Sequence, residues 1–131
     1  MTLIVLVDDD ISVLTPLTEQ LETEGYKVQA FQSSLDAKDF FKTQNPDLAI
    51  FDIKMPDLNG YQLLKEVRLD NPSLPIIFLS SKIEEQDELI GFTLGADDYI
   101  TKPFDKSILD ARISSCIEKK HLRDKEKRLM K

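Results

Sequence analysis

The chain contains 131 residues, which suffices for one compact domain and is too short for a second domain with its own core. Apolar residues make up 41% of it, enough to build that core, and no apolar run approaches the roughly 18 residues that a membrane-spanning helix requires. The net charge of -7 disfavours direct binding to a nucleic-acid phosphate backbone. We therefore expect one soluble domain with no membrane segment.

The single cysteine, Cys116, cannot form a disulfide within the chain. It falls in a helix-like apolar pattern, where a packed thiol is more common than a reactive one. A reduced thiol fits a cytoplasmic protein. We therefore expect Cys116 to be buried and the protein to be cytoplasmic.

Positive charge is concentrated at the C-terminal end. Residues 118–131 contain seven Lys or Arg against three Asp or Glu, so the preceding part is more acidic than the total indicates. A solvated helix end or linker explains such a segment, and contact with nucleic acid is the alternative. We predict a folded domain over residues 1–120, followed at residues 121–131 by a basic helical extension or the start of a linker.

Short apolar runs alternate with helix-like stretches along the chain, which predicts an α/β fold with a central, mostly parallel sheet. The first, third and fourth runs are continuously apolar, as in strands covered on both faces. The second and fifth are more mixed, which is typical of strands nearer an edge. The predicted strands are residues 3–7, 27–31, 48–51, 75–79 and 98–100.

Helical periodicity fills the intervals between these strands. The first helix, over residues 11–24, carries apolar residues at spacings of three and four and should end at Gly25. Ser33 and Ser34 precede a second helix that should end before Pro46. A third helix follows Gly60 and ends at Asn71 with Pro72, a fourth covers about 83–94, and the last begins near 104 or 105 and can extend into the basic segment.

Polar residues follow four of the predicted strands. Because parallel α/β sheets bind ligands beyond the carboxyl ends of their strands, these residues should meet at one rim. Neighbouring carboxylates repel one another unless a cation or a lysine lies among them, and oxygen ligands of this kind suit Mg2+. The rim residues are Asp8, Asp9 and Asp10 after the first strand, Asp52 after the third, Ser80 and Ser81 after the fourth, and Lys102 after the fifth.

Each acidic group also has a structural explanation. Asp10 can cap the following helix, which is the role we expect for it, and its neighbours Asp8 and Asp9 can simply face water. Asp52 can pair with Lys102. The combination of all these groups at one rim favours a site that binds a cation and handles a phosphoryl group.

Four motifs together resemble the receiver domain of bacterial response regulators, the CheY-like family. They are LVDDD at residues 6–10, DIKMPDLNG at 52–60, LSS at 79–81 and GADDYITKPF at 95–104, within a resemblance that spans about residues 2–120. The resemblance implies a doubly wound (βα)5 fold of the flavodoxin-like kind. Its five-stranded parallel sheet has the order 2-1-3-4-5, with helices on both faces.

The same resemblance implies a two-component phosphorelay switch. A sensor histidine kinase would pass a phosphoryl group to Asp52, and Ser80 and Lys102 would bind that group. Tyr99 would change rotamer with Ser80, and Lys102 would precede a cis peptide bond to Pro103. Mg2+ would be held by Asp8, Asp9, Asp52 and the backbone carbonyl of Lys54.

The segment after the fourth strand looks most like the winged-helix transcription-factor branch of the family. That likeness implies a homodimer on phosphorylation, DNA binding only through an absent effector domain, and no enzymatic activity beyond the domain's own phosphorylation and dephosphorylation. A natural single-domain regulator has the same motifs and is the alternative. Glu88 and Ile108 depart from the charge pair that the branch often has at its dimer interface. The implied dimer face consists of Phe92, Asp97, Asp98, Arg112 and Lys119.

Two other functions remain open from the residues. A phosphatase of the haloacid dehalogenase class would use Asp8 as nucleophile, although Lys102 follows the pair of acidic residues at 97–98 instead of preceding it and Asp52 would have no role. A pseudo-receiver would keep the fold as a binding module without phosphorylation. Retention of Asp8, Asp9, Asp52, Ser80 and Lys102 weighs against that second alternative.

Overall fold

The computed structural model describes residues 2–80, 97–101 and 106–129, and within these ranges the side chains of all residues except 80, 101 and 123–129. The fourth predicted helix, at residues 83–94, lies outside the described residues, as does the predicted cis bond between Lys102 and Pro103.

A single five-stranded parallel sheet has the strand order β2-β1-β3-β4-β5. This order confirms the predicted topology. The predicted bounds of the first three strands are confirmed, whereas the fourth strand begins and ends one residue later than predicted, and the fifth extends to Thr101. The strands are β1 Leu3–Val7, β2 Lys27–Phe31, β3 Leu48–Phe51, β4 Ile76–Ser80 and β5 Asp98–Thr101.

Four helices are described: α1 Ile11–Thr23, α2 Ser34–Thr43, α3 Gly60–Asp70 and a C-terminal helix, Lys106–Leu129. Local signals define where they begin and end. The Asp10 carboxylate accepts from the Ser12 N–H at 3.0 Å, which confirms the expected cap of α1. After α1, Gly25 has a φ of 96°, a left-handed conformation that glycine adopts without steric penalty.

The sheet is covered on both faces. Side chains of β1, β3 and β4 alternate between the two sides, so each strand contributes to two separate hydrophobic clusters. On one side the sheet packs against Ala37 and Phe41 of α2 and Leu63, Leu64 and Val67 of α3. On the other it packs against Leu14, Leu17 and Leu21 of α1 and Leu109, Ile113 and Cys116 of the C-terminal helix.

The C-terminal helix continues into the basic segment as far as Leu129. Cys116 is 1% exposed, which confirms the expected burial of the thiol. One turn later the Lys120 ammonium lies 3.6 Å from the Asp47 carboxylate, which also accepts from the Leu3 N–H at 2.8 Å. The helix is therefore tied to the beginnings of β1 and β3 as well as to the core.

Two leucines of α3 allow a direct test of this packing. Leu63 is fully buried and Leu69 is 80% exposed. Replacing Leu63 by alanine should lower the free energy of unfolding by about 2 to 5 kcal/mol, because it leaves a cavity in the core. The same change at Leu69 should alter the free energy of unfolding by less than about 0.5 kcal/mol. Urea denaturation of both variants measures the difference. Equal losses from both substitutions would contradict the described orientation of α3.

Candidate metal centre

Three carboxylates meet where β1 and β3 end. The strands pair in parallel with Val7 opposite Phe51, so the residues that follow them, Asp8 and Asp52, are neighbours. The pairing continues past the strands, since the Asp52 N–H donates to the Val7 carbonyl oxygen at 2.9 Å. Asp9 completes the group, and carboxylate oxygens of the three aspartates lie within 4.8 Å of one another. The rim that the sequence predicted is thus present for these three residues.

The backbone orients two of these carboxylates. Asp8 is 5% exposed, and its side chain accepts from the Asp10 N–H at 2.9 Å. Asp52 is half-buried, and its side chain accepts from the Ile53 N–H at 2.9 Å. Asp9 is exposed. The cluster therefore extends from a buried carboxylate to the surface, so that an ion could enter from solvent.

The donor set of this cluster fits a hard divalent cation. Carboxylates this close repel one another, and burial of Asp8 reduces the screening that water provides. The three donors are carboxylate oxygens, and Mg2+ is typically bound through one or two carboxylates, with water completing its octahedral shell. Asp10 serves as the α1 cap, so its carboxylate has a structural role beside the cluster.

The start of α3 packs closely against the backbone beneath the cluster. A Cβ atom at Gly60 would overlap the Asp52 carbonyl oxygen and would lie 2.9 Å from a ring carbon of Phe78. Asn59 caps this helix, and its side chain and that of Gln62 exchange hydrogen bonds with each other's backbone. Gly60 therefore allows the start of α3 to lie against the Asp52 backbone, which any larger residue would prevent.

Aromatic residues connect β5 to β4 and to α3. Tyr99 pairs in register with Phe78, and their ring centroids are 5.2 Å apart. Phe78 in turn contacts the Tyr61 ring at 5.0 Å. Tyr99 is half-buried against the cluster that α2 and α3 cover. The predicted switch residue thus lies on the same side of the sheet as α3.

The structure describes only some of the remaining predicted site residues. Ser80 is the last residue of β4 and pairs in register with Thr101, but its side chain is not described. Lys102 and Phe92 lie outside the described residues. Lys54 is exposed, two residues after Asp52. Their roles stay predictions from the family resemblance.

The described members of the predicted dimer face differ in exposure. The Arg112 guanidinium is 3.1 Å from the Asp98 carboxylate, and these side chains are 53% and 19% exposed. Lys119 is also exposed. Asp97, in contrast, directs its carboxylate inward, where it lies 3.6 Å from the Arg68 guanidinium with only 8% of the side chain exposed.

The inward-directed Asp97 aligns the beginning of β5 with the beginning of β4. The Asp97 carboxylate accepts from the Ile76 N–H at 2.9 Å, and the Asp97 N–H donates to the Ile76 carbonyl oxygen at 2.8 Å. Arg68 also donates to the carbonyl oxygens of Asn71 and Leu74. Arg68 could not be identified from the sequence, because its ionic partner Asp97 lies 29 residues further along the chain and leaves no local pattern.

The contacts of Ser34 also could not be predicted from the sequence. Its hydroxyl is hydrogen-bonded to the backbone of the loop between β3 and α3. The only sequence signal was its place at a helix start, where serine is common.

Comparison with known proteins gives a consistent result. A family model described as the response regulator receiver domain matches residues 4–114. Over 114 residues the chain is 35% identical to the transcriptional regulatory protein CreB of Escherichia coli (strain K12), with 87% of this chain and 50% of that protein covered. Over 119 residues it is 36% identical to the alkaline phosphatase synthesis transcriptional regulatory protein PhoP of Bacillus subtilis (strain 168), with 91% and 50% covered.

A solved structure shares the fold closely. The CheY-like response regulator receiver domain protein from Methanospirillum hungatei JF-1 superposes with a TM-score of 0.90 at 28% identity, covering 94% of this chain and 98% of that one. The chain spans about half the length of the curated relatives it matches. None of the helices in the described part of the chain has the length and apolar character needed to cross a membrane.

The charge of the cluster can be tested by replacing Asp9 with asparagine. In buffer freed of divalent ions by EDTA, we expect Asp9→Asn to raise the urea midpoint of unfolding, because it relieves repulsion among carboxylates. In saturating Mg2+ the order should reverse, because only the native chain keeps all three ligands and gains the full stabilisation by binding. A midpoint difference that is the same in EDTA and in Mg2+ would argue against a cation site.

Proposed function

The chain belongs to the response regulator receiver family, and from that membership we propose that it accepts a phosphoryl group from a sensor histidine kinase on Asp52 in a Mg2+-dependent reaction. The observation that carries this proposal is the group of Asp8, Asp9 and Asp52 at the carboxyl ends of β1 and β3, with their oxygens within 4.8 Å.

Asp52 is the proposed phosphoacceptor within this group. One of its carboxylate oxygens forms a bond to phosphorus while the bond from phosphorus to the donor atom breaks, and the donor keeps the electron pair. The product is an aspartyl phosphate. The hydrogen bond from the Ile53 N–H to the Asp52 carboxylate supports this role, because it fixes the side-chain direction before the donor arrives.

Asp8 and Asp9 are the proposed metal ligands, together with Asp52 and the backbone carbonyl of Lys54. When bound, Mg2+ would offset the negative charge on the phosphoryl oxygens. Asp8 is held by the Asp10 N–H, so its orientation does not depend on the metal. We further propose, from the resemblance alone, that Lys102 and Ser80 bind the phosphoryl group.

The proposed output is a shift between two conformations of the face that includes β5 and the C-terminal helix. Tyr99 is its proposed indicator, since its ring packs on Phe78 of the neighbouring strand β4. Asp98, Arg112 and Lys119 would lie in a homodimer interface, with Phe92 and Asp97 as the other members that the resemblance implies. The Asp98–Arg112 pair joins β5 to the C-terminal helix within one chain.

The wider role that we propose is regulation of transcription. Its support is that the curated relatives are named transcriptional regulatory proteins and that the chain matches about half of each. DNA binding would then belong to an effector domain outside these 131 residues. We propose that the chain catalyses only its own phosphorylation and dephosphorylation, and that it acts in the cytoplasm, where the Cys116 thiol stays reduced.

Intact mass measurement after incubation with acetyl phosphate and Mg2+ tests the phosphoacceptor. The native chain should gain one phosphoryl group that hydroxylamine removes, and Asp52→Asn should gain none. Asp57→Asn is a matched control, because Asp57 is an exposed aspartate in the loop that follows Asp52 and asparagine also tolerates its positive φ. This control should be phosphorylated like the native chain.

Other outcomes would contradict the proposal in separate ways. Phosphorylation that survives Asp52→Asn would move the acceptor to another residue. Turnover of an aryl phosphate that depends on Asp8 and not on Asp52 would favour a phosphatase. A native chain that gains nothing, even from a phosphorylated kinase, would indicate a pseudo-receiver. EDTA should prevent the gain in every active sample.

A further inference from the structure

The loop between β3 and α3 is held at two places. At its base, the Gly60 N–H donates to the Ile53 carbonyl oxygen at 2.8 Å. Nearer its tip, the Ser34 hydroxyl donates to the Pro56 carbonyl oxygen and accepts from the Leu58 N–H, both at 3.2 Å. A side chain of α2, more than 20 residues earlier in the chain, therefore fixes the loop that follows β3.

The Ser34 hydroxyl is buried and directed at this loop. Ser34 is the first residue of α2 and is 2% exposed. A buried hydroxyl requires hydrogen-bond partners, and the two bonds use it once as donor and once as acceptor. The two loop residues that it contacts come directly before and after Asp57.

Asp57 is the turn residue between the two contacts of Ser34. Its φ of 67° lies in the left-handed region, which L residues other than asparagine and aspartate seldom adopt. The bonds of Ser34 to Pro56 and Leu58 fix the peptide groups on both sides of Asp57, so they hold the loop in its described shape.

The loop shape bears on the cluster of carboxylates because Lys54 lies in the same loop. Its backbone carbonyl is the ligand assigned to the metal in the proposed function, on which this inference rests. Ile53 and Pro56, on either side of the Lys54–Met55 segment, are both fixed by hydrogen bonds. The position of the carbonyl relative to the carboxylates therefore depends on the Ser34 hydroxyl.

We propose that Ser34 is a positioning residue for the metal centre. It sets the Mg2+ affinity of the site by holding the β3–α3 loop, and it touches neither the metal nor the phosphoryl group. Contacts that orient metal ligands commonly change metal affinity by about 10 to 100-fold when they are removed.

Ser34→Ala is the direct test. In metal-free protein, amide hydrogen exchange at Leu58 should become about 2 to 10-fold faster, as expected for the loss of one hydrogen bond. The Kd for Mg2+, measured by calorimetric titration with MgCl2, should rise about tenfold. Phosphorylation by acetyl phosphate should slow at low Mg2+ and return toward the native rate at saturating Mg2+, because Asp52 is unchanged.

Thr43→Ala is the matched control. Thr43 is an exposed residue at the last position of the same helix, and its hydroxyl donates to the Phe40 carbonyl oxygen at 3.4 Å. This substitution also removes a helix hydroxyl but does not reach the loop, so it should leave Leu58 exchange and Mg2+ affinity unchanged. If Ser34→Ala is not folded by circular dichroism, Ser34→Cys, with a weaker hydrogen-bonding group, should show smaller changes in the same directions.

The readouts separate the ways in which the inference could fail. Unchanged exchange at Leu58 would show that Ser34 does not hold the loop. Faster exchange with unchanged Mg2+ affinity would overturn the positioning role. If Ser34→Ala is still phosphorylated slowly at saturating Mg2+, Ser34 does not act through metal affinity. If the native chain binds no Mg2+, the proposed function fails and the positioning role with it, whatever Leu58 exchange shows about the loop itself.

Discussion

The fold holds the carboxylates of Asp8, Asp9 and Asp52 together against their mutual repulsion. The parallel pairing of β1 with β3 forces these groups together, and hydrophobic side chains on both faces of the sheet maintain that pairing. The packed core therefore holds an arrangement that the charges alone would separate. The fold itself therefore holds together the three carboxylates that are the proposed Mg2+ ligands.

Most of the fold could be predicted because its signals are local. Asp10 begins α1 by accepting from the nearby Ser12 N–H, and Gly25 follows its end with a left-handed backbone conformation. The apolar β3 run between polar neighbours gave that strand its bounds. The strand order came from the family resemblance, since local patterns do not say which strands pair. Clustering of Asp8 with Asp52 followed from the general geometry of parallel sheets.

The contacts that the sequence did not predict join residues far apart in the chain. Ser34 looked like an ordinary helix start, and only the folded structure brings its hydroxyl to the β3–α3 loop. Asp97 was assigned to a dimer face by resemblance, yet its carboxylate lies against Arg68 and the Ile76 N–H. Direction of a side chain just before a strand depends on tertiary packing, which residue type alone does not fix.

The C-terminal helix has a mechanical consequence. Leu109, Ile113 and Cys116 fix it to the sheet, Arg112 joins it to β5, and Lys120 joins it to the start of β3. At about 1.5 Å per residue, the nine residues from 121 to 129 extend it by about 13 Å. A helical extension of this length acts as a lever arm, since a tilt of about 10 degrees at its base would displace the tip by about 2 Å.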